Sequence, residues 1–360
     1  MPDRVALFVS YSSALGGAER ILLDVASGVA DARLACPPGP LADSARAVGL
    51  QAIPMRPRSL ELRRTPRDRV LAAARIAGLA REVREIVHER PAEIVVAWNM
   101  RALLACVPAL VRLSNRPRLV FQHNDLLPGR AIGLVVGQAA RRADLTICLS
   151  EAIARDLDPA GRLRRVEVAH AGVDLMRFAP SEAAPGPGSA VLVLGAIERW
   201  KRPDLALEIA ARLPELRLRL AGEPIGTDGH ALLAELRARA AESDLAGRVE
   251  LCGRLDDPVP ALRQAAALLH CADREPYGLA LVEALACGLP VVAPAAGGPI
   301  EIVGDGGRLY PPGDAGAAAT ALGDVLERRG SLSTAARARA EARFDRQSAR
   351  RRYAELLATV

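Results

Sequence analysis

Residues 275–293 read Glu-Pro-Tyr-Gly-Leu-Ala-Leu-Val-Glu-Ala-Leu-Ala-Cys-Gly-Leu-Pro-Val-Val-Ala. Pro276 and Gly278 indicate a turn, and the good helix formers after them predict a helix that ends near Gly288. The apolar residues 291–293 then predict a short buried strand. A loop, a helix and a parallel strand in this order are typical of doubly wound α/β sheets, in which ligands bind at the carboxyl ends of the strands.

Two carboxylates flank the start of this predicted helix. Glu275 lies in the loop before it, and Glu283 lies about one turn inside it. The first backbone N–H groups of a helix, here those of Gly278, Leu279 and Ala280, have no acceptor within the helix and therefore suit an anion. The stretch predicts an anion site between two acidic side chains. Two glutamates at this spacing alone would more simply be solvated residues at a helix start.

The same stretch, from Glu275 through Glu283 to the run Ala-Cys-Gly-Leu-Pro-Val-Val-Ala, resembles the donor-sugar motif of the family 4 retaining glycosyltransferases. The resemblance implies an α/β fold of the GT-B type, with two Rossmann-like domains whose parallel sheets face a cleft and a C-terminal helix that crosses back to the N-terminal domain. It also implies that Glu275 contacts hydroxyls of the transferred sugar, that the backbone at Gly278 and Leu279 holds the donor diphosphate, and that Glu283 accepts hydrogen bonds from the ribose.

The length of the chain, 360 residues with half of them apolar, predicts two domains, each with its own core. We expect an N-terminal acceptor-binding domain over residues 1–178 and a nucleotide-sugar-binding domain over residues 190–345. Residues 179–189 are rich in Pro and Gly and predict the linker, and residues 346–360 predict the returning helix. No window approaches 18 uninterrupted apolar residues, and the chain runs directly into a strand, so we expect a cytoplasmic protein.

Basic charge is concentrated in the first half of the sequence. Residues 1–180 carry a net charge of +8, whereas the whole chain carries +6. Residues 56–69 contain six arginines with Leu60 and Leu62 among them. Such a patch suits anionic lipid head groups, a phosphorylated acceptor or nucleic acid, and a solvated arginine-rich face is an equal alternative. We expect contact with the inner face of the membrane through Arg56 to Arg69, and no binding to nucleic acid.

Two features of the N-terminal half are candidates for the donor site. Gly16 and Gly17 lie between a predicted strand and a predicted helix, without the glycine spacing of a dinucleotide-binding loop. By resemblance they belong to the loop that reaches the donor phosphate, although a tight turn would also explain them. His123 follows a predicted strand, where α/β proteins place working groups, and by resemblance it contacts the donor sugar as a catalytic residue. A lone histidine is more often structural.

Lys201 is the only lysine among 48 basic residues. A compact ammonium on a flexible stem suits a diphosphate, although one lysine could occur at this position by chance. The resemblance assigns Lys201 to the diphosphate together with an arginine at the position that Ala196 occupies here. Arg199 or Arg202 could supply the missing charge, with Arg202 the better candidate, or Lys201 and the helix N-terminus could suffice.

The remaining predictions concern the nucleobase, metals and cofactors. Arg254 follows a short predicted strand and by resemblance lies against the base. Six scattered cysteines lack the paired spacing of a zinc ribbon or a disulfide framework, and no Asp-x-Asp motif stands after a strand. We therefore expect no metal site and no cofactor besides the nucleotide diphosphate sugar, which is a substrate.

The sequence favours a retaining glycosyltransferase that moves a hexose-type sugar from a nucleotide diphosphate sugar to a lipid-linked or small-molecule glycan acceptor. A GT-B sugar-nucleotide epimerase or phosphorylase would share the same architecture. A non-catalytic nucleotide-sugar-binding protein is a third alternative, against which the presence of Glu275, Lys201 and His123 together argues.

Overall fold

The computed structural model describes residues 4–58, 66–111, 113–181, 186 and 188–360. The chain forms two compact units, Met1–Ala171 with Gln347–Val360, and Gly172–Arg346. Each unit contains one sheet of parallel strands connected by helices, which confirms the predicted α/β class with two Rossmann-like domains. Among the described residues, no helix is long and apolar enough to cross a bilayer.

The first unit is built on a seven-stranded parallel sheet. Its strands are β1 (Ala6–Val9), β2 (Ala32–Cys36), β3 (Gln51–Pro54), β4 (Ile94–Trp98), β5 (Arg118–His123), β6 (Leu145–Cys148) and β7 (Val166–Val168). They lie in the order β3-β2-β1-β4-β5-β6-β7, so the order reverses between β1 and β4, and Phe8 of β1 pairs with Leu34 and Val96 on either side. Central strands of such a sheet are covered on both faces, which explains why every residue of β1 and β4 is apolar and buried.

Seven helices accompany this sheet among the described residues: α1 (Gly17–Ala26), α2 (Pro40–Ala47), α3 (Pro66–Glu89), α4 (Met100–Leu110), α5 (Arg130–Ala140), α6 (Glu151–Leu157) and, much later in the chain, α14 (Arg346–Ala358). The predicted return of the C-terminal helix is confirmed. The Tyr353 ring of α14 stacks on Phe8 of β1, with ring centres 6.4 Å apart, and Arg350 Nη2 lies 2.7 Å from the carboxylate of Asp24.

The second unit contains a six-stranded parallel sheet. Its strands are β8 (Val191–Leu194), β9 (Leu218–Ala221), β10 (Val249–Gly253), β11 (Leu268–Leu269), β12 (Val291–Pro294) and β13 (Gly307–Tyr310), in the order β10-β9-β8-β11-β12-β13. Its helices are α7 (Pro203–Ala211), α8 (Gly226–Ala240), α9 (Val259–Gln264), α10 (Leu279–Ala286), α11 (Pro299–Ile302), α12 (Ala315–Glu327) and α13 (Arg329–Arg343). Leu205 and Ile209 of α7 and Leu322 of α12 pack in one core with the sheet.

The boundary between the units differs from the predicted linker. The second unit already begins at Gly172, because the segment before residue 181 is hydrogen-bonded to elements of that unit. Val173 N–H donates to Phe344 O, and Arg346 N–H donates back to Val173 O. Arg337 donates to the carbonyls of Leu175 and Phe178. The predicted linker 179–189 lies inside this unit, and its residues 182–185 and 187 lie outside the described part of the chain.

Candidate functional site

The candidate site in the second unit begins at the loop before α10. Gly278 caps the helix in the left-handed region, at φ 108°, and a Cβ at this position would lie 2.8 Å from the Leu281 side chain, so glycine is required. Gly278 O accepts hydrogen bonds from Leu281 and Val282, as in a regular first turn. The backbone N–H groups of Leu279 and Ala280 precede these bonds and lack an acceptor within the helix, which gives them the orientation of an anion site. Glu283 lies on the same helix and is half-buried.

A second loop fixes the backbone of Glu275. Gly298 N–H donates to Glu275 O at 2.9 Å. Gly297 approaches the same carbonyl so closely that a Cβ would lie 2.1 Å from it, and its φ of +67° is in the left-handed region. The turn after β12 therefore packs directly on the loop before α10 and holds Glu275 at the carboxyl edge of the sheet.

The Glu275 carboxylate is buried between two nitrogen groups. Lys201 Nζ donates to Glu275 Oε2 at 2.5 Å, and His270 Nε2 lies 3.1 Å from the same oxygen. Burial alone would raise the pKa of this carboxyl group, but the neighbouring His270 ring and the Lys201 charge lower the pKa to about 2. Glu275 is thus ionised at neutral pH despite being only 7% exposed. An ionised carboxylate is an acceptor-only group, as a contact to sugar hydroxyls requires.

Lys201 comes from the short turn between β8 and α7. Arg199–Lys201 form one turn of 3₁₀-helix, and Lys201 Nζ lies 4.0 Å from the centre of the Trp200 ring, within the range of a cation–π interaction. Trp200 O accepts a hydrogen bond from Asp273 N–H, which ties this turn to the loop that carries Glu275. The Lys201 side chain is 23% exposed, so its ammonium can still be reached by a ligand.

The two arginines considered as replacements at Ala196 both have carboxylate partners. Arg202, at φ 51°, caps α7 and places its guanidinium 2.9 Å from Asp204 and 3.2 Å from Asp273. Arg199 forms two hydrogen bonds with Glu235. Both arginines therefore form local ion pairs, as Lys201 does with Glu275.

The predicted base contact, Arg254, follows β10 at the same edge of the sheet. Its side chain is 63% exposed, and its Nη1 lies 3.4 Å from the Glu223 carboxylate. An exposed pair of this kind contributes little to stability and leaves the guanidinium accessible. The structure thus brings Lys201, Arg202, Glu275 and the start of α10 together, with Arg254 on a separate loop of the same unit.

Gly16 and Gly17 begin α1 in the first unit. Gly16 caps the helix in an extended conformation, and its N–H donates to the Glu19 carboxylate at 3.2 Å, which is the half of a capping box that a glycine can form. Neither glycine has the positive φ that a strained turn would require, and a Cβ on Gly17 would meet no other atom within 4 Å. The surface over Gly17 is therefore open to close approach by a ligand.

His123 is the last residue of β5, at the carboxyl edge where the sequence predicted it. Its imidazole is fully buried and stacks on Phe121 with ring centres 5.1 Å apart. Neither ring nitrogen has a hydrogen-bond partner among the described residues, and burial lowers the pKa of the ring to about 3. The sugar contact implied by the resemblance would require this ring to be uncovered.

Burial of His123 predicts a distinctive pH dependence of stability. Unfolded His123 takes up a proton below pH 6.5, whereas the folded ring stays neutral down to its pKa of about 3, so wild-type stability should fall with pH in this window. The slope from this residue should approach about 1.4 kcal/mol per pH unit as the pH falls well below 6.5. His123→Phe, which keeps a ring on Phe121, should remove that contribution from urea midpoints measured between pH 7 and pH 5.

An exposed histidine of the same unit provides the control for this experiment. His88 lies on the exposed face of α3, where its ring is in water in both states, so His88→Gln should keep the wild-type slope. Identical slopes for wild type and His123→Phe would contradict the burial of the neutral ring.

Sequence reasoning missed His270 and Asp273. His270 directly follows the strand β11. His123 was selected because it stands at the end of a strand, but a strand of two residues gives only a weak signal in the sequence. Asp273 is recognisable only from its contact with Arg202, 71 residues away. Among the described residues, no three His, Cys, Asp or Glu side chains are grouped as they would be around a metal ion.

Comparison with known families matches both halves of the chain. Residues 15–177 match the model described as Glycosyltransferase Family 4, and residues 177–343 match the model described as Glycosyl transferases group 1. Together the two models cover the Gly16 loop, His123 and all the site residues of the second unit.

Curated relatives include two annotated D-inositol 3-phosphate glycosyltransferases. That of Mycobacterium sp. (strain KMS) is 35% identical over 219 residues, covering 56% of this chain and 48% of the relative. That of Mycolicibacterium gilvum is 36% identical over 217 residues, covering 55% and 48%. This chain thus spans about half the length of the curated relatives it matches.

Solved structures share the fold over nearly the whole chain. Anabaena Alr3699/HepE, crystallised in complex with UDP and glucose, has a TM-score of 0.85 at 24% identity and covers 99% of this chain and 100% of its own. Sucrose-phosphate synthase from Thermosynechococcus elongatus has a TM-score of 0.83 at 18% identity, covering 99% and 98%. At these identities the likeness establishes the fold alone.

Proposed function

Because the chain belongs to the glycosyltransferases of family 4 and group 1, we propose that it transfers a hexose-type sugar from a nucleotide diphosphate sugar to an acceptor with retention of configuration. One observation carries the proposal: the ionised Glu275 carboxylate, the only lysine of the chain and the N-terminus of α10 lie at one edge of a parallel sheet. The cation and the helix N-terminus suit a diphosphate, and the carboxylate suits sugar hydroxyls.

The diphosphate, the ribose and the sugar of the donor would each bind to the groups of the site that match their chemistry. Lys201 and the backbone N–H groups of Leu279 and Ala280 would bind the diphosphate, and Glu283 would accept hydrogen bonds from the ribose. Glu275 would accept hydrogen bonds from the sugar. Complexes of similar solved structures support a nucleotide sugar as the donor, since HepE was crystallised with UDP-glucose.

Negative charge that develops on the leaving diphosphate would be stabilised by Lys201 and by the helix N-terminus. In the proposed front-face reaction, the bond between the anomeric carbon and the diphosphate oxygen breaks, and the acceptor oxygen bonds to the same face of that carbon. The acceptor hydroxyl proton passes to the departing phosphate. This step uses no protein nucleophile. We propose that it also needs no metal ion, because Lys201 and the helix N-terminus would stabilise the charge on the diphosphate.

The experiment that tests the function starts with donors. Thermal-shift measurements with UDP-, GDP- and ADP-sugars identify the base, and the best donor is then incubated with lipid-linked and small-molecule glycans. Product with the anomeric configuration of the donor supports retaining transfer. Product formed without an added acceptor would indicate an epimerase, sugar 1-phosphate formed with inorganic phosphate would indicate a phosphorylase, and binding without turnover would indicate a nucleotide-sugar-binding protein.

A lipid-linked acceptor is proposed from the basic character of the N-terminal half, which would bring the protein to the cytoplasmic face of a membrane. Arg56 is exposed, but Arg58 forms an ion pair with Glu82 and donates to Gly78 O. Within the predicted basic patch, residues 59–65 lie outside the described part of the chain, and so do the side chains of residues 66–70. Arg58 therefore serves the local fold, and Arg56, Arg63, Arg64 and Arg67 are the arginines to test.

We expect wild type to float with anionic vesicles at low salt and to be released at high salt, because surface charges are screened. Changing Arg56, Arg63, Arg64 and Arg67 to Ser together should abolish flotation while Arg58 keeps its pair with Glu82. Neutral vesicles provide the matched control. If the quadruple variant still floats, or if wild type does not float at low salt, a small-molecule acceptor replaces the lipid-linked one.

A further inference from the structure

His270 is a buried titratable residue of the second unit for which the proposed reaction has no role. It lies at the carboxyl end of β11, only 6% exposed, with Nε2 3.1 Å from Glu275 Oε2. Lys201 Nζ contacts the same oxygen. The carboxylate that would face the sugar thus has two neighbouring nitrogen groups, which come from the ends of different strands of the sheet.

These two partners differ in how firmly they are fixed. The His270 backbone N–H donates to Val292 O at 2.8 Å, and its carbonyl accepts a hydrogen bond from the Tyr310 hydroxyl at 2.9 Å. Both contacts lie in the sheet, and Tyr310 is itself buried. Lys201 instead reaches Glu275 through four methylene groups from a partly exposed turn, so its ammonium has more freedom to move than the buried imidazole on its fixed backbone.

Binding of a donor diphosphate would compete for the Lys201 ammonium. A buried carboxylate that loses its cation would either take up a proton or swing away, because an unpaired buried charge is costly. A hydrogen bond from a fixed donor to the charged form prevents both outcomes. His270 Nε2 lies 3.1 Å from Glu275 Oε2 without being aligned for a hydrogen bond, and in the tautomer protonated at Nε2 a small rotation of the ring would make it such a donor.

We propose that His270 is a positioning residue, which keeps the Glu275 carboxylate ionised and in place when Lys201 turns to the donor diphosphate. The inference rests on the proposed function for the identity of the ligand, but the contact between His270 and Glu275 is present in the protein itself. It assigns the two neighbours of the carboxylate different roles, Lys201 as the mobile ligand group and His270 as the permanent support of Glu275.

The first test follows the carboxyl group directly. Protein labelled with ¹³C at the glutamate carboxyls is titrated by NMR, with the Glu275 signal assigned by its loss in Glu275→Gln. Wild-type Glu275 should stay ionised at every pH at which the protein is folded. In His270→Phe the midpoint should move up into the observable range, and it should move further when UDP or GDP, whichever binds more tightly, is saturating. His270→Gln, whose amide nitrogen can occupy the place of Nε2, should titrate as wild type does.

The second test separates positioning from packing. His270→Phe should lower kcat by up to about 100-fold, the loss expected from a misplaced group, while the Kd of the bare nucleoside diphosphate stays within about twofold. His270→Gln should recover most of kcat. Cys271→Ala, at the next buried position of the same strand end, is the control for lost packing and should keep wild-type kcat.

The inference is overturned if Glu275 titrates identically in wild type and His270→Phe, with and without nucleotide. It is also overturned if His270→Gln and Cys271→Ala are both as slow as His270→Phe, because the loss of activity would then come from disturbed packing alone. Absence of turnover in wild type would count against the proposed function only, since the carboxyl titration decides the role of His270 by itself.

Discussion

Replacing Lys201 by alanine is expected to lower the affinity for a bare nucleoside diphosphate by about 10- to 150-fold, because a charge-assisted contact contributes about 1.5–3 kcal/mol. A lysine in a loop would be expected to carry an exposed charge, whose removal leaves the fold intact. The structure changes this expectation, since Lys201 is also a partner of the buried Glu275. We therefore expect an additional loss of stability of about 1–3 kcal/mol, the cost of leaving a buried charged group less well paired. Isothermal calorimetry and urea unfolding measure the two effects separately.

Arg199 provides the matched control for Lys201. It lies in the same 3₁₀ turn, but its guanidinium pairs with Glu235 on the surface, where both side chains are more than half exposed. Arg199→Ala should therefore cost less than about 1 kcal/mol of stability and little nucleotide affinity. The double variant Lys201→Ala, Glu275→Gln should regain stability relative to Lys201→Ala, because the buried carboxylate is then neutral. Unchanged nucleotide affinity in Lys201→Ala would refute the diphosphate role.

The second large effect is expected from Glu275→Gln. Loss of the ionised acceptor should reduce kcat by about 100- to 1,000-fold if it acts on charge or geometry in the transition state. The affinity for bare nucleoside diphosphate should be unchanged or higher, because Lys201 is released from its pair with Glu275. Glu283→Gln should behave in the opposite way, with about tenfold weaker nucleotide binding from a lost charged acceptor to the ribose.

Glu235→Gln is the control for both glutamates. It removes an equal charge from an exposed surface pair of the same unit and should change neither kcat nor nucleotide affinity. Titrating each variant with nucleotide before adding sugar donor separates binding from transfer. If Glu275→Gln and Glu283→Gln lose bare-nucleotide affinity to the same extent, the proposed division between sugar and ribose is wrong.

Local sequence chemistry predicted the parts of the site that depend on neighbouring residues. The start of α10 after Gly278, its end before Gly288 and the strand that follows all depend on glycine, proline and helix-forming residues within a few positions. The two parallel sheets follow from alternating apolar strands and amphipathic helices in the same way. The returning helix was expected from the resemblance, and its packing on Phe8 agrees with that expectation.

The contacts that define the site could not be predicted in this way. Lys201 and Glu275 are 74 residues apart in the chain and meet because β8 and β11 are neighbours in the sheet, so that the loops after these strands lie side by side. That order depends on the topology, which local patterns do not encode. The burial of His123 and the beginning of the second unit at Gly172 depend on long-range packing for the same reason.

The division of the first unit between two stretches of the chain has a consequence for synthesis on the ribosome. Residues 172–346 form a contiguous unit, which has all its strands and helices as soon as it leaves the exit tunnel. The first unit, although it is translated earlier, lacks Tyr353 and Arg350 until the segment 347–360 emerges, and Phe8 and Asp24 remain without those partners until then. The order of translation is therefore the reverse of the order in which the two units can be completed.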